Sequence, residues 1–127
     1  MKKIISTSAA PKAIGPYNQA VLSGNTLYIS GQIALVPQTG ELVSPNIKEQ
    51  TSQCLNNINA ILQEAGFCKD DIVRAVIYLT DINDFAICNE IYGNFFEGST
   101  PPARTTIAVS ALPKNAKIEI EITASKD

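Results

Sequence analysis

The sequence predicts an α+β fold: a mixed six-stranded sheet with two helices on one face. Three observations predict it. Ile47 to Ala65 carries apolar residues at helical spacing. Lys117-Ile118-Glu119-Ile120-Glu121-Ile122 alternates as a strand does. The elements run β-β-β, α, β, α, β, β, and two helices of these lengths can cover one sheet face but not two.

In chain order, the N-terminal third reads as strands joined by turns. Gln19 to Leu22 and Thr26 to Gln32 are β-prone runs, and Ser23-Gly24-Asn25 between them is a hairpin signal. Pro37-Gln38-Thr39-Gly40 is a second turn, with Pro early and Gly late. The first helix places Ile47, Cys54, Leu55, Ile58, Ile61, Leu62 and Ala65 on one stripe. Asn46 with Glu49 three residues on resembles a capping box, and Gly66 suits the C′ position. Ile72 to Thr80 reads as a strand with Val73, Ala75, Ile77 and Leu79 on one face.

A second helix is expected from about Asp84 to Phe96, capped by Asn83 or Asp84 and followed by Gly98. Phe85, Asn89, Tyr92 and Phe96 share its inner face, and Gly93 inside it suggests close packing. Pro101-Pro102 stops any helix. Thr105 to Ala111 and Lys117 to Ala124 are the last strands, joined by a turn at Leu112 to Ala116. Each helix provides a crossover long enough for parallel pairing. The strand faces away from the helices carry Val76, Tyr78 and Ile107, too apolar to stay wet over a whole sheet. A closed homo-oligomer with pockets between subunits is therefore expected.

The 127 residues suit one domain, 1–127, large enough to bury a core unaided. With 45% hydrophobic and 17% charged residues the composition is that of a globular chain. Net charge is -2, so composition gives no electrostatic case for a nucleic-acid partner. The apolar run after Lys2-Lys3 is far too short for a signal-peptide core, and none approaches the ~20 residues of a membrane span. A soluble, cytoplasmic protein without a membrane partner is the expectation.

The chain has no histidine, so it lacks the commonest general base and metal ligand. Cys54, Cys68 and Cys88 form no C-x-x-C pair and read as small hydrophobes or surface thiols. Neither a metal nor another cofactor is expected. Arg, Glu and backbone amides remain as tools. Arg104, after the Pro-Pro turn, suits a bidentate carboxylate or a surface ion pair. Glu119 and Glu121 share the strand face opposite Ile118, Ile120 and Ile122. Either could orient a water, or both could simply face solvent. Gly31 marks a bulge or offers its backbone to a ligand, and Asn89 reads as a buried amide bonded to nearby backbone.

Six segments taken together go further: Ala13-Ile14-Gly15-Pro16-Tyr17, Ile29-Ser30-Gly31-Gln32, Asn83-Asp84-Phe85, Asn89-Glu90-Ile91-Tyr92, Pro102-Ala103-Arg104 and Lys117-Ile118-Glu119-Ile120-Glu121. In order and spacing they resemble the RidA (YjgF-type) family of imine deaminases over essentially the whole chain. The resemblance implies a chorismate-mutase-like α+β fold and a homotrimer with clefts between subunits. It also implies hydrolysis of 2-imino acids such as 2-iminobutanoate and 2-iminopropanoate to 2-oxo acids and ammonia. By position, Arg104 would hold the substrate carboxylate and Glu119, rather than Glu121, would orient the water. Tyr17, Ser30, Gly31, Asn89 and Thr106 would line the cleft. Many members carry Cys where this chain has Thr106, which supplies a backbone N–H equally well. A metabolite-binding or chaperone-like module and an endoribonuclease are the other activities the family suggests.

Overall fold

Gly24 and Asn25 turn the chain through its first hairpin. The structure, a computed structural model, describes residues 1–127. It joins β2 (Ala20–Ser23) to β3 (Thr26–Gln32) through those two residues, with Ser23 opposite Thr26. Gly24 has φ 58°, and positive φ at the first central position is what a type II′ turn demands. The third N-terminal strand, which the pattern counts but does not locate, is β1 (Lys3–Ile5), antiparallel to β2. Only Ile5 in it is buried, and three residues are too few to display alternation.

Helix α1 (Ile47–Glu64) begins and ends where its capping residues put it. The Asn46 side chain accepts from the amides of Lys48 and Glu49. The return half of the box runs through a relay: Glu49 accepts from the Ser44 hydroxyl, which accepts from the Asn46 amide. At the other end Gly66 has φ 78°, its N–H reaches Gln63 O, and Phe67 N–H reaches Leu62 O. That is a Schellman motif, closed by apolar packing of Phe67. The helix has no basic residue in its last turn, but Lys126 from the far end of the chain donates to Gly66 O at 2.6 Å.

Strand β4 (Ile72–Leu79) corrects one expectation. The register shifts between Ile72 and Arg74, so Val73 leaves the core face and is 49% exposed, while Ile72 is buried in its place. The second helix, α2 (Phe85–Phe95), is preceded by a 3₁₀ turn at Ile82–Asp84. Asp84 stands at the N-cap position of α2, as expected, but makes no side-chain cap hydrogen bond; the side-chain cap is on the 3₁₀ turn, where Asp81 accepts from Asn83 N. Gly93 does not mark close packing, since a Cβ there would meet open space. β5 (Ala103–Ala108) starts directly after Pro101-Pro102, two residues earlier than its β-branched run suggests. β6 (Ile118–Ser125) follows a 3₁₀ turn at Pro113–Asn115.

The six strands form one mixed sheet in the order β1-β2-β3-β6-β4-β5. Only β4 and β5 are parallel, joined across α2. β3 and β4, joined across α1, are not neighbours, because β6 inserts between them antiparallel to both. α1 packs on β3 and β6 and against α2, so both helices cover one face. Between them lie Leu27, Ile29, Ala75, Ile77, Leu79, Ile118, Ile120 and Ile122 of the sheet, and Cys54, Leu55, Ile58, Ile61 and Leu62 of α1. No helix is long and apolar enough to cross a membrane.

Because Gly93 sits exposed in mid-helix with room for a methyl, Gly93→Ala should stabilise the protein by about 0.5–1 kcal/mol. Urea titration of both forms measures it. A loss of stability would mean that the position is covered in the native protein.

Candidate active site

Strand pairing decides which functional side chains can meet. Arg104 lies opposite Ala75, and Thr106 opposite Ile77, both on the helix-covered face. Glu119 and Glu121 lie opposite Tyr78 and Val76, on the face away from the helices. Arg104 and Glu119 thus occupy opposite faces of the sheet. They are also two strand spacings apart, about 10 Å, and about 10 Å apart along the strands. One protomer cannot bring them to the same substrate.

Around Arg104, α2 builds a cradle. The guanidinium lies 4.8 Å from the Tyr92 ring centroid and 5.4 Å from that of Phe85. Nη1 donates to Asn89 Oδ1 at 2.7 Å. Asn89 is therefore an exposed amide serving the arginine, not a buried one bonded to backbone, and Arg104 has this neutral partner instead of an ion pair. One of its five donors is used, so a fork remains for a carboxylate. Two hydroxyls on this side are buried without partners, Tyr92 Oη and Thr106 Oγ1. Burial raises the Tyr92 pKa, opposed by the nearby Arg104 cation. Cys88 is also buried here, which pushes its thiol up despite Thr51 and Arg104.

Glu119 stands on the other face beside Gly31. The β3–β6 ladder is irregular between Ile29 and Gln32, with Ser30 and Gly31 together opposite Glu121, so Gly31 does mark a bulge. A Cβ on Gly31 would come within 2.8 Å of the Glu119 carboxyl carbon, so a side chain there would push the carboxylate out of this position. Burial raises the Glu119 pKa, and neighbouring Glu121 adds to the rise. Glu121 is occupied differently, accepting from the Tyr78 hydroxyl at 2.9 Å. Ser30 Oγ donates to Asn18 O at 2.6 Å and so holds the loop that carries Tyr17. Tyr17 and Gly31 line two adjoining depressions. The larger, about 630 Å³, contains Glu119, and the smaller contains Ser30 and Glu121.

The sequence reading named Glu119, Gly31 and Tyr17 but missed the rest of the larger depression's wall, including Lys12, Gln19, Pro113 and Lys114. Their only signal was proximity to the Gly15-Pro16 and Leu112–Ala116 turns. The cysteines behave as expected: Cys54 and Cys88 are buried and Cys68 is an exposed thiol. Burial drives the Cys54 pKa upward, the opposite of what a nucleophile needs. No three acidic or cysteine side chains converge in a metal-ligating arrangement.

A cradled arginine with free donors stands on one sheet face and a carboxylate made more basic by burial on the other, and known proteins share the frame that carries them. The family model described as Endoribonuclease L-PSP matches residues 7–126. A RutC family protein of Leuconostoc mesenteroides subsp. cremoris is 52% identical, covering 98% of each chain. The 2-iminobutanoate/2-iminopropanoate deaminase of Bos taurus is 48% identical over 98% of this chain and 90% of that protein. The crystal structure of a Rid-family protein of unknown function from Yersinia pestis superposes with a TM-score of 0.97 at 49% identity, covering 99% of this chain and all of that one. The chain belongs to this Endoribonuclease L-PSP family, also called RidA/YjgF.

Folding raises the Glu119 pKa, so the native chain keeps that proton to higher pH than the unfolded chain. The group's contribution is most favourable below the ordinary carboxylate range and declines as pH climbs to the elevated native value. Glu119→Gln should therefore be more stable than wild type at pH 7, by about 0.5 kcal/mol or less given solvent screening at a half-exposed site. The gap should close as pH falls through that window. Thermal melts at several pH values measure this, and a Gln variant less stable at pH 7 would contradict the raised pKa.

Proposed function

We propose that this protein is a 2-imino-acid deaminase working as a ring of three copies, with each active site shared between two of them. The observation that carries the proposal is the placement of Arg104 and Glu119 on opposite faces of one sheet. If the Arg104 side of one copy meets the Glu119 side of a second, twofold symmetry would require both faces of each copy to touch the same partner. A head-to-tail contact avoids this, and such contacts close into rings where the rotation between copies divides a full turn. The exposed Tyr28 and Ile107 on the uncovered face support its burial between copies. The deaminase name of the bovine relative supports the chemistry.

In this reading Arg104 of one copy binds the substrate carboxylate with its free fork, held in aim by Asn89 and the two rings. Thr106 is next on the same strand face; its hydroxyl is buried, so its backbone is what it would offer the substrate. Glu119 of the next copy takes a proton from water as the water oxygen bonds to C2 of the C=N group. From a protonated imine this gives a neutral carbinolamine, the C=N π pair passing to nitrogen. Glu119 returns its proton to that nitrogen, and as the C–N bond breaks the C2 hydroxyl forms C=O and gives its own proton to solvent, leaving a 2-oxo acid and ammonia. Tyr17, Ser30 and Gly31 close the wall beside Glu119. An imine is electrophilic already, so positioning and one carboxylate suffice, without metal or other cofactor.

Although the family model bears an endoribonuclease description, a chain of net charge -2 offers little to a phosphate backbone. A metabolite-binding module using the same cleft would bind 2-oxo acids without accelerating imine loss.

Arg104→Ala should lower kcat/KM by about 10²-fold through lost orientation. Glu119→Gln should lower kcat by about 10²–10⁴-fold. Dissociated and reassembled together, the two inactive variants should recover about a quarter of wild-type activity, because that fraction of interfaces pairs an intact arginine with an intact glutamate. No recovery from properly mixed oligomers would place the site within one chain. Since Glu119 must be ionised to act, kcat should rise with pH through a value above the ordinary carboxylate range. An activity flat across that window in stopped-flow assays would remove Glu119 as the base.

A further inference from the structure

The depression beside Glu119 is larger than a four-carbon imino acid needs. Its volume of about 630 Å³ belongs to the range that holds drug-sized ligands. An ethyl side chain would leave most of it wet. Two of the lining residues are cations, Lys12 and Lys114, and both sit on anchored loops.

Lys12 follows Pro11 on a segment tied down by the buried Gln19. The Gln19 amide donates to the carbonyls of Thr7, Ala10 and Pro11 at 3.0, 3.3 and 2.8 Å and accepts from Thr7 N at 2.8 Å. Lys114 is held in the left-handed region at φ 57°, as is Asn115 after it, a conformation unfavourable for residues other than glycine. Backbone strain of this kind persists where surrounding structure over-determines it and clusters at functional sites. Lys114 Nζ donates to Gly40 O at 3.0 Å across the depression. A carbonyl occupies one of its three donors and leaves its charge uncancelled.

From this arrangement we infer that the pocket selects 2-imino acids bearing a second anionic group, 2-imino dicarboxylates, with Lys12 and Lys114 as the specificity-determining residues. The inference rests on the deaminase reading and deepens it. The substrate's first carboxylate lies on Arg104 of the adjoining copy, the C=N carbon lies beside Glu119, and the side chain runs into the depression toward the two ammonium groups. The reaction is unchanged: water oxygen bonds to C2, the C–N bond breaks, and ammonia leaves.

The test compares 2-iminoglutarate with the uncharged five-carbon 2-iminopentanoate, each generated in place by an amino-acid oxidase, with 2-iminobutanoate as the reference. Imine loss is followed by competition with semicarbazide. Wild type should favour the dicarboxylate over its uncharged counterpart by roughly tenfold in kcat/KM, the scale of two partly exposed ion pairs. In Lys12→Gln/Lys114→Gln that ratio should fall to about one. Lys12→Glu, on an exposed loop position where folding is not at stake, should reduce it further. Turnover of 2-iminobutanoate with a ratio of one or less, or a ratio that both variants leave unaltered, overturns the inference and leaves the deaminase reading standing. Failure to hydrolyse any of the three imines overturns both.

Discussion

Strand β6 cannot slip, and the arrangement of the molecule depends on that. Ile118, Ile120, Ile122 and Ala124 are each no more than 2% exposed, and they alternate with Glu119, Glu121 and Thr123. A shift of one residue would place four apolar side chains in water and two carboxylates in the core. Each large aliphatic side chain is worth about 1.5–3 kcal/mol on burial, so the slip would cost on the scale of a domain's whole stability. The strand is also clamped from both sides by antiparallel partners. Glu119 therefore faces away from the helices because its isoleucine neighbours must face toward them. The bulge at Ser30 and Gly31 on the adjacent strand then opens the space its carboxylate occupies.

The walls around that carboxylate are irregular loops, and buried amide side chains fix them in place. Gln19 ties the N-terminal segment, as already described. Asn57 of α1 reaches Leu35 O at 2.9 Å, and Gln53 supports it from one turn away. Gln50 donates to Ser44 O and accepts from Lys117 N, joining the segment before α1 to the start of β6. A satisfied hydrogen bond contributes about 1 kcal/mol net, while a buried amide left without its partners costs about 1–3 kcal/mol. These loops thus gain rigidity from Gln19 and from α1 without secondary structure of their own.

The legible parts of the fold were those whose cause is local. Gly24-Asn25 sets its own turn, Asn46 and Gly66 bracket α1, and the alternation of β6 reveals its buried face. Non-local causes stayed hidden. Nothing near Val73 announces a bulge that arises only against β6. Asp81 becomes a cap because a 3₁₀ turn intervenes before α2. The same division runs through the site. The face of Glu119 could be read from its own strand, whereas that of Arg104 follows from the parallel register with β4, set across a helical crossover. Gln50 and Asn57 were absent from the apolar stripe for a related reason. Their burial depends on the partners Lys117 and Leu35, distant in sequence.

Three local costs remain in a structure whose core is otherwise well satisfied, and they gather around Arg104 and around the depression that holds Glu119. Thr106 and Tyr92 bury hydroxyls with no partner on the Arg104 side. Glu119 is held where burial and Glu121 disfavour its charge. Lys114 and Asn115 occupy left-handed backbone at the rim of the same pocket. The buried hydroxyls and the left-handed backbone are each worth on the order of 1–3 kcal/mol against folding, Glu119 less because solvent screens it, and a chain selected for stability alone could remove these costs by substitution. The apolar layer between α1 and the sheet is large enough to carry them. Their gathering around one cradled cation and one hard-to-ionise carboxylate is what selection for a charged substrate at some cost in stability would leave.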